Sequence, residues 1–190
     1  MKYPKKVLIA GANGFIGKSL IKKFDKNISI GAASRSKINL NQKNLKYFQH
    51  DLSKKWNIKF SPDYIIFSLQ GKYNENKRAN LEENYNSQVV AIKNCLDFYK
   101  KNKCKLIIFL SSIEIYGEVN SNIISEKTCI RNPNFYGASK FYCESILKES
   151  SNSVNSLILR LPGIVGNDFI PRCWLQSLKE DFKKNKSINF

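Results

Sequence analysis

Gly11-Ala12-Asn13-Gly14-Phe15-Ile16-Gly17 is the stretch of sequence that decides the fold. It follows Lys5 to Ala10, which ends in a run of apolar residues, and it leads into Gly14 to Phe24, where apolar residues recur at helical spacing. The pattern predicts a short buried strand that turns directly into a helix. Gly11 allows a tight turn, and Gly17 permits close packing of the helix against the strand.

The start of this helix is predicted to bind phosphate. The first N–H groups of a helix have no intrahelical partner and carry a partial positive charge, and Gly14 lets a pyrophosphate approach the backbone. A turn that serves structure alone is the alternative interpretation. We predict a dinucleotide site whose members in this stretch are Gly11, Asn13, Gly14, Phe15, Ile16 and Gly17.

Strands and helices alternate along the rest of the chain. The predicted strands are Ile28 to Ala33, Tyr47 to Gln49, Tyr64 to Phe67, Leu106 to Leu110 and Ser156 to Leu161, and the predicted helices are Leu81 to Lys101 and Tyr136 to Lys148. Apolar residues fill most of these strands continuously, which is typical of a parallel sheet covered on both faces. The predicted fold class is therefore α/β, a Rossmann-type doubly wound parallel sheet.

Length and composition indicate one domain in the cytoplasm. The 190 residues are 42% hydrophobic, enough to bury one core. The first apolar run is far too short for a signal peptide or for a membrane span of roughly 20 residues, so we expect a soluble protein.

The five cysteines form no Cys-x-x-Cys pair, which favours free thiols in a reducing compartment. His50 is the only histidine, and we expect no metal site.

The chain carries a formal net charge of +17. Its lysines are spread along the sequence beside many asparagines, which favours a general compositional bias. A functional basic surface that binds nucleic acid is the alternative. We predict neither a nucleic-acid nor a membrane partner, and we expect the positive field to attract anionic small molecules.

The residues after the second and third strands suit the adenosine end of a dinucleotide. A protein that binds NAD normally places an acid after the second strand, whereas this chain has Ser34-Arg35. A guanidinium can pair with a phosphate through two hydrogen bonds, so we predict NADP as the preferred cofactor and NAD as the alternative. Arg35 as one more solvated cation is the competing interpretation. Asp51-Leu52 is placed to meet the adenine, although an aspartate that starts a helix gives the same pattern.

Tyr136 and Lys140 are candidate catalytic residues. Four positions apart on a helix, they lie on one face, where the ammonium is expected to favour the phenolate and lower the pKa of the tyrosine. Such a tyrosine can donate and accept protons near neutral pH. Ser112 follows a strand at the end where ligands bind in open α/β sheets, and it can hydrogen-bond a substrate oxygen. Chance spacing and a serine that merely ends a strand are the alternatives.

The sequence resembles the extended short-chain dehydrogenase/reductases, specifically the NAD-dependent epimerase/dehydratase family. The resemblance covers Val7 to about Gly166 and rests on five motifs in family order: Gly11 to Gly17, Asp51-Leu52, Ser111 to Gly117, Tyr136 to Lys140 and Arg160 to Gly163. It implies that Ser112 is the catalytic serine, Tyr136 the acid/base and Lys140 the lysine that binds the nicotinamide ribose. It implies further cofactor contacts from Leu69, Gln70, Gly71, Asn84 (with Asn86 as the competing asparagine), Ser111, Pro162, Gly163 and Ile164.

The resemblance also implies an enzyme that passes hydride between nicotinamide and a carbon of a nucleotide-linked sugar, as an epimerase or a reductase. Related dehydratases place an Asp-Glu pair after the serine, whereas this chain has Ile113-Glu114, which disfavours dehydration. Gln70 replaces a residue that is usually small, and Arg35 replaces an acid. A non-catalytic dinucleotide-binding or redox-sensing module is the alternative function.

Family members continue into a carboxy-terminal substrate domain and commonly dimerise through their central helices. We therefore place the NAD(P)-binding domain at residues 1–166, with residues 167–190 as the incomplete start of a substrate-binding region. The substrate domain itself is expected to be truncated or absent. Within the tail, Trp174 to Lys184 has a helical pattern. A homodimer is possible on the same resemblance.

Overall fold

The computed structural model describes residues 5–40, 42–70, 82 and 85–164. The predictions for Gly71, for Asn84 and for the segment 167–190 lie outside these residues.

The described residues form one six-stranded sheet in which neighbouring strands are parallel. Its strands are β1 (Lys6–Ala10), β2 (Ser29–Ser34), β3 (Leu45–Gln49), β4 (Tyr64–Phe67), β5 (Leu106–Ser112) and β6 (Ser156–Leu161). Their order across the sheet is β3-β2-β1-β4-β5-β6. This arrangement confirms the predicted Rossmann-type doubly wound α/β fold.

Three α-helices lie within the described ranges: α1 (Phe15–Lys23), α2 (Ala91–Asn102) and α3 (Phe135–Glu149). The long helix predicted before β5 includes a π-helical turn, Asn86–Val90, directly before α2. The sequence predicts no helix between β5 and Tyr136, yet this segment begins with a short 3-10 turn, Ile113–Tyr116. The hydroxyl of Ser112 accepts a hydrogen bond from the Glu114 N–H at 3.2 Å, and this cap explains why the turn starts there.

Each face of the sheet carries its own apolar layer. Successive residues of a strand point to opposite faces, so β1 sends Leu8 into one layer and Ile9 into the other. α1 packs on the second layer through Ile21, whereas α2 and α3 pack on the first through Ile92 and Leu147. All five side chains are fully buried. Burial of each contributes roughly 1.5–3 kcal/mol, which holds the helices to their faces.

The carboxyl ends of the strands meet at one edge of the sheet. Ala10 at the end of β1 is in register with Ala33 of β2 and with Phe67 of β4, and Ser112 of β5 is in register with Leu161 of β6. The strand order reverses between β1 and β4, and in sheets of this kind a ligand crevice opens at that point. The glycine turn and the segments that follow the other strands therefore share this edge.

Among the described residues, no helix is both long and apolar enough to cross a membrane. Cys95, Cys104, Cys129 and Cys143 carry free thiols, as predicted, while Cys173 lies outside the described ranges.

Candidate active site

The glycine turn joins β1 to α1 and packs against the end of β4. Gly11 has a φ of +90°, and a Cβ placed on it would lie 2.8 Å from the carbonyl oxygen of Ser68. A Cβ on Gly17 would lie 2.5 Å from the Gly11 oxygen. The Ser68 hydroxyl donates to the Ala10 carbonyl at 2.8 Å and pins the turn to β4. Side chains are thus excluded from Gly11 and Gly17, as the sequence predicts.

α1 begins at Phe15 with Gly14 as its cap residue, so no side chain covers the helix start, and its first turn contains no acidic residue. Ile16 is partly buried and packs on the apolar layer beneath α1. The side-chain amide of Asn13 donates to the Ser36 hydroxyl at 2.6 Å and does not cap the helix. The predicted phosphate-binding residues therefore surround an uncapped helix N-terminus.

The predicted adenosine residues lie together after β2 and β3. Ser34 is buried and its hydroxyl donates to the Ser36 carbonyl at 2.8 Å, while Arg35 is exposed. Burial acts to raise the pKa of Asp51, but hydrogen bonds from Ser53 and the nearby charge of Arg35 lower it below its ordinary value. Leu52 is a core residue whose carbonyl accepts from the Trp56 indole at 2.8 Å. Its side chain serves the fold rather than this surface.

Lys140 joins the ends of two neighbouring strands. Its Nζ donates to the Leu110 carbonyl in β5 at 2.8 Å and to the Leu69 carbonyl just beyond β4 at 3.0 Å. The side chain is almost fully buried, and this burial lowers the pKa of the ammonium to about 8, against the opposing charges of Cys143 and Glu144. The structure thus brings the predicted lysine to the carboxyl edge.

Tyr136 lies beside Ser112, as predicted, but the prediction for its pKa is wrong. Burial raises the pKa of the phenol to about 12; the charge of Glu114 adds to this effect, and a hydrogen bond with Ser112 opposes it. The Lys140 Nζ is 5.8 Å from the centre of the tyrosine ring and is directed to two backbone carbonyls. Helical spacing brings the two side chains together, but the ammonium does not lower the phenol pKa.

The remaining predicted cofactor residues that the structure describes lie at this edge as well. Gln70 is exposed beyond β4, and Pro162, Gly163 and Ile164 are exposed directly after β6. Ser111, by contrast, is buried, and its hydroxyl donates to Glu144 at 2.6 Å. The Ser111 hydroxyl is therefore already engaged in a hydrogen bond inside the protein.

Glu114 was not among the predicted site residues, yet it lies near Tyr136. Asn134 caps α3, where its side-chain oxygen accepts from the Gly137 N–H at 2.8 Å. The amide of the same Asn134 donates to the Glu114 carboxylate at 2.9 Å. An asparagine two residues before the predicted start of a helix is the signal that could have pointed to this arrangement.

Glu114→Gln is expected to lower the pKa of Tyr136, because it removes a negative charge that disfavours the phenolate. The measurement is ultraviolet absorbance of tyrosinate against pH, as the difference between the variant and the same variant carrying Tyr136→Phe. Glu118→Gln is the matched control, because the Tyr136 pKa shows no contribution from Glu118. An unchanged Tyr136 titration in Glu114→Gln would contradict this electrostatic account.

A buried ion pair connects the elements that carry the site residues. Arg160 in β6 donates to Glu144 of α3, with Nη2 to Oε2 at 2.7 Å and Nε to Oε1 at 3.1 Å. Its Nη1 also donates to the Tyr116 hydroxyl at 2.8 Å. Glu144 is fully buried, and the arginine side chain is 15% exposed. One guanidinium therefore links β6, the helix that carries Tyr136 and Lys140, and the turn that follows Ser112.

These features define a parallel-sheet domain with a glycine turn, an uncapped helix start and a Ser/Tyr/Lys cluster at one edge. A profile of the NAD dependent epimerase/dehydratase family matches residues 7–188. The chain belongs to this family. The resemblance inferred from the sequence motifs is confirmed.

Solved structures show the same fold at low sequence identity. A UDP-galactose 4-epimerase superposes with a TM-score of 0.80 at 18% identity, covering 95% of this chain and 63% of that one. The UDP-N-acetylglucosamine 4-epimerase of Methanobrevibacter ruminantium, in complex with UDP-N-acetylmuramic acid, gives 0.81 at 21%, covering 98% and 65%. The Thermus thermophilus UDP-glucose 4-epimerase in complex with NAD gives 0.79 at 20%, covering 96% and 64%.

A curated relative is the D-erythronate dehydrogenase of Haemophilus influenzae, 28% identical over 102 residues. The match covers 52% of this chain and 32% of the relative. The chain therefore spans less than two thirds of the length of each of these proteins.

Proposed function

We propose that this chain binds a nicotinamide dinucleotide along the carboxyl edge of its sheet and uses Ser112, Tyr136 and Lys140 in hydride-transfer chemistry on a nucleotide-linked sugar. The observation that carries the proposal is the convergence of these three side chains beside β4 and β5, next to the glycine turn. Membership of the NAD dependent epimerase/dehydratase family supports the same conclusion.

The glycine turn fits a dinucleotide. Gly11 and Gly17 are positions where a Cβ would collide with backbone, and Gly14 leaves the start of α1 without a side-chain cap. A pyrophosphate needs this combination of open backbone and partial positive charge. The glycine turn would hold the pyrophosphate, the segments after β2 and β3 the adenosine, and Lys140 the nicotinamide ribose. The complex of the Thermus thermophilus UDP-glucose 4-epimerase with NAD supports this assignment.

The residues of the chain supply the proton chemistry. Bound nicotinamide provides or accepts the hydride. Tyr136, whose phenol is held protonated by its surroundings, is suited to donate a proton to a sugar oxygen that gains negative charge and to take it back in the reverse direction. Ser112 is placed to hydrogen-bond the same oxygen. The Lys140 ammonium is 5.8 Å from the centre of the Tyr136 ring, and its part in the proposal is to hold the nicotinamide ribose.

The substrate class is proposed from the relatives. The three solved structures described above are epimerases of UDP-linked sugars, and one of them is a complex with UDP-N-acetylmuramic acid. An epimerase or a reductase suits this chain better than a dehydratase, because Ile113 cannot exchange a proton at the position of the dehydratase aspartate. A homodimer remains part of the proposal on family grounds alone.

NADPH is expected to bind more tightly than NADH, and Arg35→Ala is expected to abolish this preference. A charge-assisted hydrogen bond contributes about 1.5–3 kcal/mol, so the loss of NADPH affinity is about tenfold to a hundredfold while NADH affinity is unchanged. Nicotinamide fluorescence measures both affinities. Lys37→Ala, which removes a neighbouring exposed cation, is the control. Equal affinity of the wild-type chain for the two dinucleotides would overturn the NADP assignment.

A further inference from the structure

Tyr47 in β3 carries a hydroxyl that the packing of its ring does not require. The ring is partly buried and packs on the second apolar layer, where phenylalanine would fill the same space. The hydroxyl reaches the segment after β2 and donates to the Ser36 carbonyl at 2.8 Å. The Ser34 carbonyl is 3.3 Å from the same hydroxyl and already accepts from the His50 N–H at 2.9 Å. A hydroxyl has one proton, so the shorter contact identifies Ser36 as its main acceptor.

Ser36 is held by side chains from three parts of the chain. Its carbonyl accepts from the hydroxyls of Tyr47 and Ser34, each at 2.8 Å, which uses both lone pairs of the oxygen. Its own hydroxyl accepts from the side-chain amide of Asn13 in the glycine turn at 2.6 Å. Ile38 is buried in the second apolar layer. The segment from Ser34 to Ile38 is thus fixed at both ends and at its centre, although its three middle residues are exposed.

The Ser36 carbonyl sets the direction of the N–H group that follows it. The described peptide bonds are all trans, and in a trans peptide the C=O and the next N–H point in opposite directions. Because the Ser36 oxygen is turned to Tyr47, the Lys37 N–H points away from Tyr47. This N–H donates no hydrogen bond to another described residue. A donor, and not an acceptor, therefore faces away from the layer on which Tyr47 packs.

The exposed side of this segment suits a phosphate. Arg35 and Lys37 place an exposed cation on either side of Ser36. The Ser36 hydroxyl keeps its proton for a further acceptor, because the Asn13 amide uses only its oxygen. A ribose 2′-hydroxyl, which distinguishes NADH here, is normally met by a carboxylate acceptor, whereas a ribose 2′-phosphate needs donors and positive charge. The donors of this segment match the phosphate of NADPH.

We infer that Tyr47 is a positioning residue that favours NADPH over NADH. Its hydroxyl holds the Ser36 carbonyl turned inward, so that the Ser36 hydroxyl, the Lys37 N–H and the Arg35 side chain face the 2′-phosphate together. The hydrogen bond from Asn13 to Ser36 joins this segment to the glycine turn that holds the pyrophosphate. The inference deepens the proposed function and rests on it, because it requires a dinucleotide at this edge of the sheet.

Tyr47→Phe tests the inference, because it removes the hydroxyl and keeps the ring. Affinity for NADPH is expected to fall about threefold to tenfold, the effect of one net hydrogen bond, while NADH affinity stays at the wild-type value. Nicotinamide fluorescence measures both affinities. Calorimetric titration with 2′,5′-ADP, which carries the 2′-phosphate without the nicotinamide, is expected to show the same loss, and titration with 5′-AMP is expected to show none.

Tyr99→Phe is the matched control. The Tyr99 hydroxyl accepts from the Asn155 N–H at 3.3 Å directly before β6, at the opposite edge of the sheet. Its loss is expected to leave the ratio of NADPH to NADH affinity unchanged. A double-mutant cycle adds a second control, because Arg35→Ala is expected to abolish the preference by itself. In that background Tyr47→Phe is expected to leave the ratio unchanged, since the phosphate is no longer held at this segment.

An unchanged ratio of NADPH to NADH affinity in Tyr47→Phe, or an equal loss of both affinities, would overturn the inference. Ser34→Ala, which removes the other hydroxyl on the Ser36 carbonyl, replaces Tyr47→Phe if that protein does not fold. Failure of both to fold would also overturn it, because a positioning role leaves the fold intact.

The wild-type chain separates this inference from the proposed function. A wild-type chain that binds neither NADPH nor NADH would refute both together. Equal binding of the two dinucleotides would refute the inference and the NADP assignment but leave an enzyme that uses NAD. A wild-type preference for NADPH that persists in Tyr47→Phe refutes the inference alone.

Discussion

Tyr136→Phe is expected to reduce turnover by about 10²–10⁴-fold, the usual contribution of a positioned acid/base group, while dinucleotide affinity stays nearly unchanged. The substitution removes one oxygen and keeps the ring that lies beside Ser112 and Lys140. Turnover is measured as interconversion or nicotinamide-dependent oxidation of UDP-linked hexoses. The expected separation of turnover from binding follows because the phenol handles a proton and the glycine turn holds the dinucleotide.

Tyr142→Phe is the matched control for this result, since Tyr142 lies on the same helix and is 50% exposed. It is expected to leave turnover unchanged. Wild-type turnover that survives in Tyr136→Phe would remove Tyr136 from the mechanism. Dinucleotide binding by the wild-type chain without turnover of any UDP-linked hexose would instead favour the non-catalytic binding module.

Arg160→Met is expected to lower the free energy of unfolding by about 3–5 kcal/mol, because it leaves the buried carboxylate of Glu144 without its charged partner. Glu144 then keeps only the Ser111 hydroxyl as a donor among the contacts described. A loss of this size is a large part of the stability of an ordinary domain. Chemical denaturation measures it.

The double variant Arg160→Met with Glu144→Leu is expected to recover most of the lost stability, because a buried ion pair replaced by apolar side chains is often neutral. Lys105→Met is the matched control. The ion pair of Lys105 with Asp63 has a 2.7 Å contact but an exposed lysine, so water screens it and its loss is expected to have little effect. A small effect of Arg160→Met, similar to that of Lys105→Met, would contradict the structural role of this pair.

The sequence predicted the fold because the fold depends on short-range patterns. β4 begins and ends at the predicted residues, since a continuous apolar run marks a strand buried on both faces. β6 also has the predicted bounds, although it is an edge strand on which Leu157 and Leu159 are exposed. β5 extends two residues further than predicted, through Ser111 and Ser112, because both are in register with β6. Whether polar residues at a strand end belong to the strand can be decided only when the neighbouring strand is known.

The sequence also predicted which side chains meet at the site, but not how they affect one another. Ser112, Tyr136 and Lys140 come together because parallel strands end at one edge and helical spacing places two of them on one face. The pKa of Tyr136 depends on burial and on Glu114, which no spacing rule includes.

The sequence by itself determined the parallel α/β architecture and the position of the glycine turn, and its motifs singled out Ser112, Tyr136 and Lys140, because each of these motifs consists of residues that are close along the chain. The tertiary structure alone decided the partners of Lys140, whose ammonium binds carbonyls 71 and 30 residues away. It also decided the pairing of Arg160 with Glu144. Hydrogen bonds and burial in a packed interior depend on distances in space, and these are set only when the strands and helices have assembled.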